Sequence, residues 1–166
     1  KLSDNVIDAN RATHAGGLYF RYSPAASLIG NRISDNVANH AGPGMKHYGG
    51  ARFLHSDNAT LIGNTISGNR AANLCGGMSF DASDNALLIG NKVISNTAGT
   101  PGFAESAAGG GLYFGNINGA SLIGNTVASN GTYGKGGGMY VRLSDITLTN
   151  NVIADNQASS GGGLWM

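Results

Sequence analysis

Charge is scarce in this chain. Lys and Arg number 10 and Asp and Glu 9 among 166 residues, leaving a formal net charge of +1. That balance excludes the electrostatic footprint of a nucleic-acid partner or of an anionic membrane surface, and the ten cations do not cluster along the sequence. A single cysteine, Cys75, excludes an internal disulfide framework. No histidine shares its neighbourhood in sequence, so it reads as a small buried residue rather than a nucleophile. No apolar run is long enough to span a bilayer, and no stretch has the layout of a signal peptide. The chain begins on a repeat and stops inside one, so a segment of a longer protein is expected, forming one domain over residues 1–166.

Glycine, in contrast, is abundant at 28 residues, more than twice the average share of ~7 %. Its clustering marks a repeat. A Leu is followed three residues later by Asn, then by Ile or Val, a second Asn and a Gly-Gly pair. The copies start at Leu2, Leu28, Leu61, Leu88, Leu122 and Leu148. The first Asn recurs at Asn5, Asn31, Asn64, Asn91, Asn125 and Asn151, the second at Asn10, Asn36, Asn69, Asn96, Asn130 and Asn156. A period of this size means stacked coils, each burying its apolar face only against its neighbours. The Leu-to-Leu intervals alternate between short (26, 27, 26) and long (33, 34), with the extra residues always between the second Asn and Gly-Gly.

Each coil reads as three short strands. The first carries the Leu, the second the aliphatic column Ile7, Ile33, Ile66, Val93, Val127 and Ile153. The third follows Gly-Gly with an alternation such as Met78 and Phe80 or Leu112 and Phe114, a sign of strand buried on one face. Like residues one coil apart require parallel stacking at ~4.8 Å. Asn at the bends is expected to take left-handed φ, to bond the local main chain and to form amide ladders. The Gly pairs mark a corner needing positive φ or close backbone approach.

The pairing of L-I-G-N-x-[IV]-x-x-N with G-G-G-[LM]-[YW] resembles the right-handed parallel β-helix proteins of the pectate-lyase-like superfamily. It is similar in particular to bacterial surface proteins such as polymorphic outer-membrane proteins and adhesin-like passenger domains. The resemblance covers the whole chain and implies an all-β, right-handed parallel β-helix of about six rungs of three short strands. Leucine-rich repeats place Asn after an L-x-x-L-x-L core, and the Gly-rich arc leaves no room for their helix. The superfamily includes both lyases or hydrolases and non-catalytic adhesins, so the fold alone does not set the function. The clustered Asp, N-T-D, G-H-G and R-I-K motifs of its enzymes are missing. Asp8, Asp35 and Asp155 lie near one bend but do not form a pair on adjacent rungs.

Several residues remain as candidates. Tyr19, Arg52, Ser79, Tyr113, Tyr140 and Trp165 share the outward position of the third strand, the last three on consecutive rungs. Such a strip suits sugar rings, although cross-rung stacking on a sheet is the stronger reading. Ile29, Ile62, Ile89 and Ile123 form an aliphatic stripe facing either a partner surface or the interior. His14 and His40 fall four residues past the second Asn, with His47 close behind. Asp57 and Asp84 sit at the third turn, with too few carboxylates for a calcium site. Asn58-Ala59-Thr60 and Asn130-Gly131-Thr132 match the glycosylation pattern.

The expectation is therefore an extracellular or cell-surface β-helix with a structural, adhesive or glycan-binding role. Tyr113, Tyr140, Trp165 and Tyr19 are the glycan-binding candidates, and no catalytic residue, metal or cofactor is assigned. Partners would be a polysaccharide or cell-surface glycan, or further copies joined end to end or laterally, with no nucleic acid. The alternatives are a carbohydrate-active enzyme acting outside this segment or through the long loops around His47 and Glu105, and a self-assembling filament.

Overall fold

In a computed structural model, which describes residues 1–39, 46–101 and 107–166, the chain winds through four parallel sheets. A central rung passes through strands Thr60–Ile62, Thr65–Ser67, Arg70–Ala71 and Met78–Asp81, one in each sheet. The first, second and fourth sheets have six strands and the third has five. The register is that of the repeat: Leu61 lies opposite Leu28 and Leu88, Ile66 opposite Ile33 and Val93, Phe80 opposite Phe53 and Phe114. The parallel β-helix expected from the sequence is thus present, with one addition. The third sheet consists of two-residue strands directly behind the second Asn, such as Arg70–Ala71 and Thr97–Ala98, too short to show any alternation.

One core runs along the axis. Leu28, Leu61, Leu88, Ile33, Ile66, Val93, Met78 and Phe80 are among its fully buried members. Phe20, Phe53, Phe80 and Phe114 stack with centroids 4.8, 4.7 and 5.2 Å apart. Each such aromatic pair is worth ~0.5–1.5 kcal/mol beyond its buried area.

Both Asn columns form ladders in the interior. Asn64 Nδ2 donates to Asn91 Oδ1 and to Leu28 O, each at 2.9 Å, and its backbone N–H reaches the same Oδ1 at 2.9 Å. Every interior amide thus satisfies a bend whose backbone groups cannot join a sheet. The expected left-handed φ falls elsewhere, on the residue before each ladder Asn: Gly30, Gly63, Gly90 and Gly124 at the first bend, Asp35, Gly68, Ser95 and Ser129 at the second. A left-handed residue makes the turn and thereby aims the next side chain inward. At the Gly-Gly corner close approach is the reason, not φ. A Cβ on Gly50 would lie 2.6 Å from Gly77 O and 3.1 Å from the Asn69 amide.

The insertion also resets one column. Tyr48 bridges Ala15 and Cys75, so His47, not His40, is the rung neighbour of His14. His40 and Glu105 lie outside the described residues. The isoleucine stripe faces outward, with Ile62 and Ile123 37 % and 40 % exposed.

Candidate functional site

On the outer face of the fourth sheet, strands Leu112–Gly115, Met139–Arg142 and Leu164–Trp165 bring Tyr113, Tyr140 and Trp165 into line. Their rings stack on one another: Tyr113 to Tyr140 at 5.4 Å and 10°, Tyr140 to Trp165 at 4.6 Å and 3°. Both faces of Tyr140 are therefore covered by aromatic neighbours, and its rim is what remains. Tyr19 does not join them. Arg52 and Ser79 occupy the intervening rungs, and the Arg52 guanidinium lies 5.3 Å over the Tyr19 ring.

Nor is this face the open strip that alternation implies. In the middle rungs the residues just before the Gly pairs pack against it: Tyr48, Cys75 and Ala108 form a second, smaller core with Tyr113. Tyr113 is only 6 % exposed. Burial, with Asp81 and Tyr140 adding to it, pushes its phenol up to about 12, against a lowering by Arg142. Burial likewise raises Tyr48, partly offset by Arg52, whose guanidinium sits 4.2 Å over the Tyr48 ring. Arg52 approaches Asp81 at 3.8 Å.

Beside the ladder is a groove of about 280 Å³ lined by Leu74, Tyr113, Tyr140, Lys46, Lys135 and Arg142. Three cations line it, Lys135 and Arg142 from one rung and Lys46 from another almost ninety residues earlier in sequence. Lys135 also lies 4.6 Å over the Trp165 ring. Among the described residues none of the three makes an ion pair. Nothing in the repeat hints at this grouping, because Lys46 and Lys135 come from the irregular segments before Gly-Gly. The corner alignments outside the named strands place them, Tyr48 with Cys75 beside Lys46 and Ala108 with Lys135.

The other candidates separate. His14 is exposed and His47 buried, while His55 stacks on Tyr22 at 5.1 Å. Asp57 and Asp84 serve the third turn: Asp84 N donates to Asp57 Oδ1 at 2.9 Å and Asn118 N to Asp84 Oδ1 at 2.8 Å. Asn130 is 1 % exposed, its amide donating to Val93 O and Asn156 Oδ1. It is therefore a ladder residue with no access for a glycosylating enzyme. Two grooves of about 630 and 320 Å³ on the third sheet contain one carboxylate between them, Asp155, so no paired-carboxylate site is assembled there.

A family model described as "Periplasmic copper-binding protein (NosD)" matches residues 1–162. No curated protein and no solved structure matches the chain. Copper calls for thiolate, thioether or imidazole donors, and the described residues do not fit it. Cys75 is fully buried, its thiol donating to Met78 O at 3.1 Å, and burial raises its pKa. Met78 and Met139 fill the core on either side of Leu112. Among the described residues no three His, Cys, Asp or Glu side chains converge.

Proposed function

The chain belongs to the NosD family, and from that premise we propose that it is an envelope-side β-helix that acts by binding, holding an acidic glycan beside the Tyr113–Tyr140–Trp165 ladder. The carrying observation is the meeting of Lys46, Lys135 and Arg142 around two tyrosines in one groove. A stacked ring has no free face for a sugar. Its rim, however, is the electropositive part of the aromatic quadrupole, which suits a carboxylate or phosphate oxygen. The three cations add attraction of the same sign, and the apolar floor lowers the local dielectric.

Calorimetric titration with an oligogalacturonate of about six units tests this. Binding is expected to weaken steeply between low and physiological salt, and at least tenfold on replacing Lys135 and Arg142 together by Ala. Affinity indifferent to both changes, or no binding at low salt, would remove the reading. Release of shortened products in the same mixture would move the chain to the carbohydrate-active enzymes instead.

A further inference from the structure

Neither backbone geometry nor packing calls for glycine at position 131. The outward column of the third sheet runs Arg11, Val37, Arg70, Thr97 and Gly131, and Gln157 bridges to Gly131 on the last rung. Every other rung thus presents a side chain. The backbone of Gly131 is not in the left-handed region, and a Cβ placed there would meet nothing within 4 Å. By contrast, a Cβ on Gly50 or Gly76 would strike the next rung. Glycine within a strand weakens it and often marks a place where something else comes close to the backbone.

What Gly131 produces is a hollow. Thr97 and Gln157 stand one rung to either side of it, ~9–10 Å apart by two strand spacings. The groove there measures about 630 Å³, against about 280 Å³ for the cationic one. Thr97, Ser129, Tyr133, Asp155 and Gln157 line it, offering hydroxyls, an amide, one carboxylate and one aromatic ring. Tyr133 is 49 % exposed and, unlike Tyr140, stacks on no other ring among the described residues. A second hollow of about 320 Å³ lies on the other side of Thr97, along the same sheet.

We propose that the Gly131 hollow is a second binding site, taking a neutral sugar unit of an extended glycan. The Tyr133 ring is the platform, and the side chains of Thr97, Ser129 and Gln157 hydrogen-bond the hydroxyls. Asp155 accepts from a sugar hydroxyl and repels an acidic unit. This site lies across the Tyr133–Lys135 segment from the cationic groove and does not rest on the reading of that groove.

The test is titration of the chain with two neutral probes, cellohexaose and chitohexaose, by calorimetry. At least one is expected to bind. Gly131→Ala should weaken binding and Gly131→Val should weaken it at least tenfold, both with an unchanged or higher melting temperature. Tyr133→Ala should also cost at least tenfold, whereas the Lys135→Ala, Arg142→Ala pair should leave these probes unaffected. Because Gly131→Ala adds only an atom for which there is room, the series stays readable even if Val disturbs the strand. No binding of either hexasaccharide, or equal affinity in the Gly131 variants, overturns the proposal.

Discussion

Asn91 illustrates how much one side chain carries here. Its Oδ1 accepts from both nitrogens of Asn64, and its Nδ2 donates to Leu61 O and Asn125 Oδ1. Asn91→Ala strands several buried polar groups at once, each costing ~1–3 kcal/mol. The expected loss is ~3–5 kcal/mol in chemical denaturation, far above that of Asn5→Ala at the exposed first rung. Glycines separate in the same way. Gly50→Ala forces its Cβ against the next rung and should cost upwards of ~2 kcal/mol, while Gly131→Ala should stabilise by ~0.5–1 kcal/mol. Tyrosine ionisation supplies a third check. Folding raises the phenols of Tyr48 and Tyr113, so the folded state keeps protons that the unfolded chain loses above its ordinary value near 10. The stability this contributes is complete below pH ~10 and is lost as pH rises towards 12. Melting temperatures should fall across that window together with the late-appearing tyrosinate absorbance; a flat profile would contradict the burial of both rings.

At the scale of an element, the fourth sheet is stabilised on both faces. The phenylalanine ladder fills its inner side, and the Tyr48–Cys75–Ala108–Tyr113 cluster covers part of its outer side. Phe80→Ala is therefore expected to cost ~3–5 kcal/mol, close to the limit a small domain tolerates. The first sheet has no such cover, and its isoleucines face outward. Ile62→Lys should change the melting temperature little, and paired with Ile123→Lys it should abolish any lateral self-association seen by sedimentation. A large destabilisation would show that this face is structural. The third sheet carries the opposite pattern: its inward residues are small, Ala38, Ala71, Ala98 and Thr132, because the Gly-Gly segment lies directly against its backbone.

Across the whole molecule, stability is a sum of contacts between adjacent rungs. Interior rungs have two neighbours and the described end rungs one, as the exposure of Asn5 and Ile7 shows beside that of their rung partners Asn31 and Ile33. Amide hydrogen exchange should accordingly be slowest at Asn64, Asn91 and Asn96 and fastest at the first and last rungs. Uniform protection would instead point to end-to-end pairing of copies, the route to a filament.

The six-fold recurrence of Leu, two Asn, an aliphatic residue and Gly-Gly determined by itself that coils stack in parallel and in register. Identical side chains can form vertical ladders in no other way, and Asn64 on Asn91 and Phe53 on Phe80 stand as that repeat requires. It did not reveal the third sheet, whose two residues per rung carry no period, nor the left-handed residues, because a bend can be made by either of two neighbours. The aromatic candidates at Tyr113, Tyr140 and Trp165 were legible as a column, but their covering was not. Tyr48, Leu74 and Lys135 come from segments of unequal length, where counting from the last Asn loses register and only packing against the sheet restores it. For the same reason the cations gathered around Tyr140, and the space left at Gly131, were decided by the tertiary structure alone: a repeat specifies which side chains lie above one another, whereas a groove depends on what folds across them.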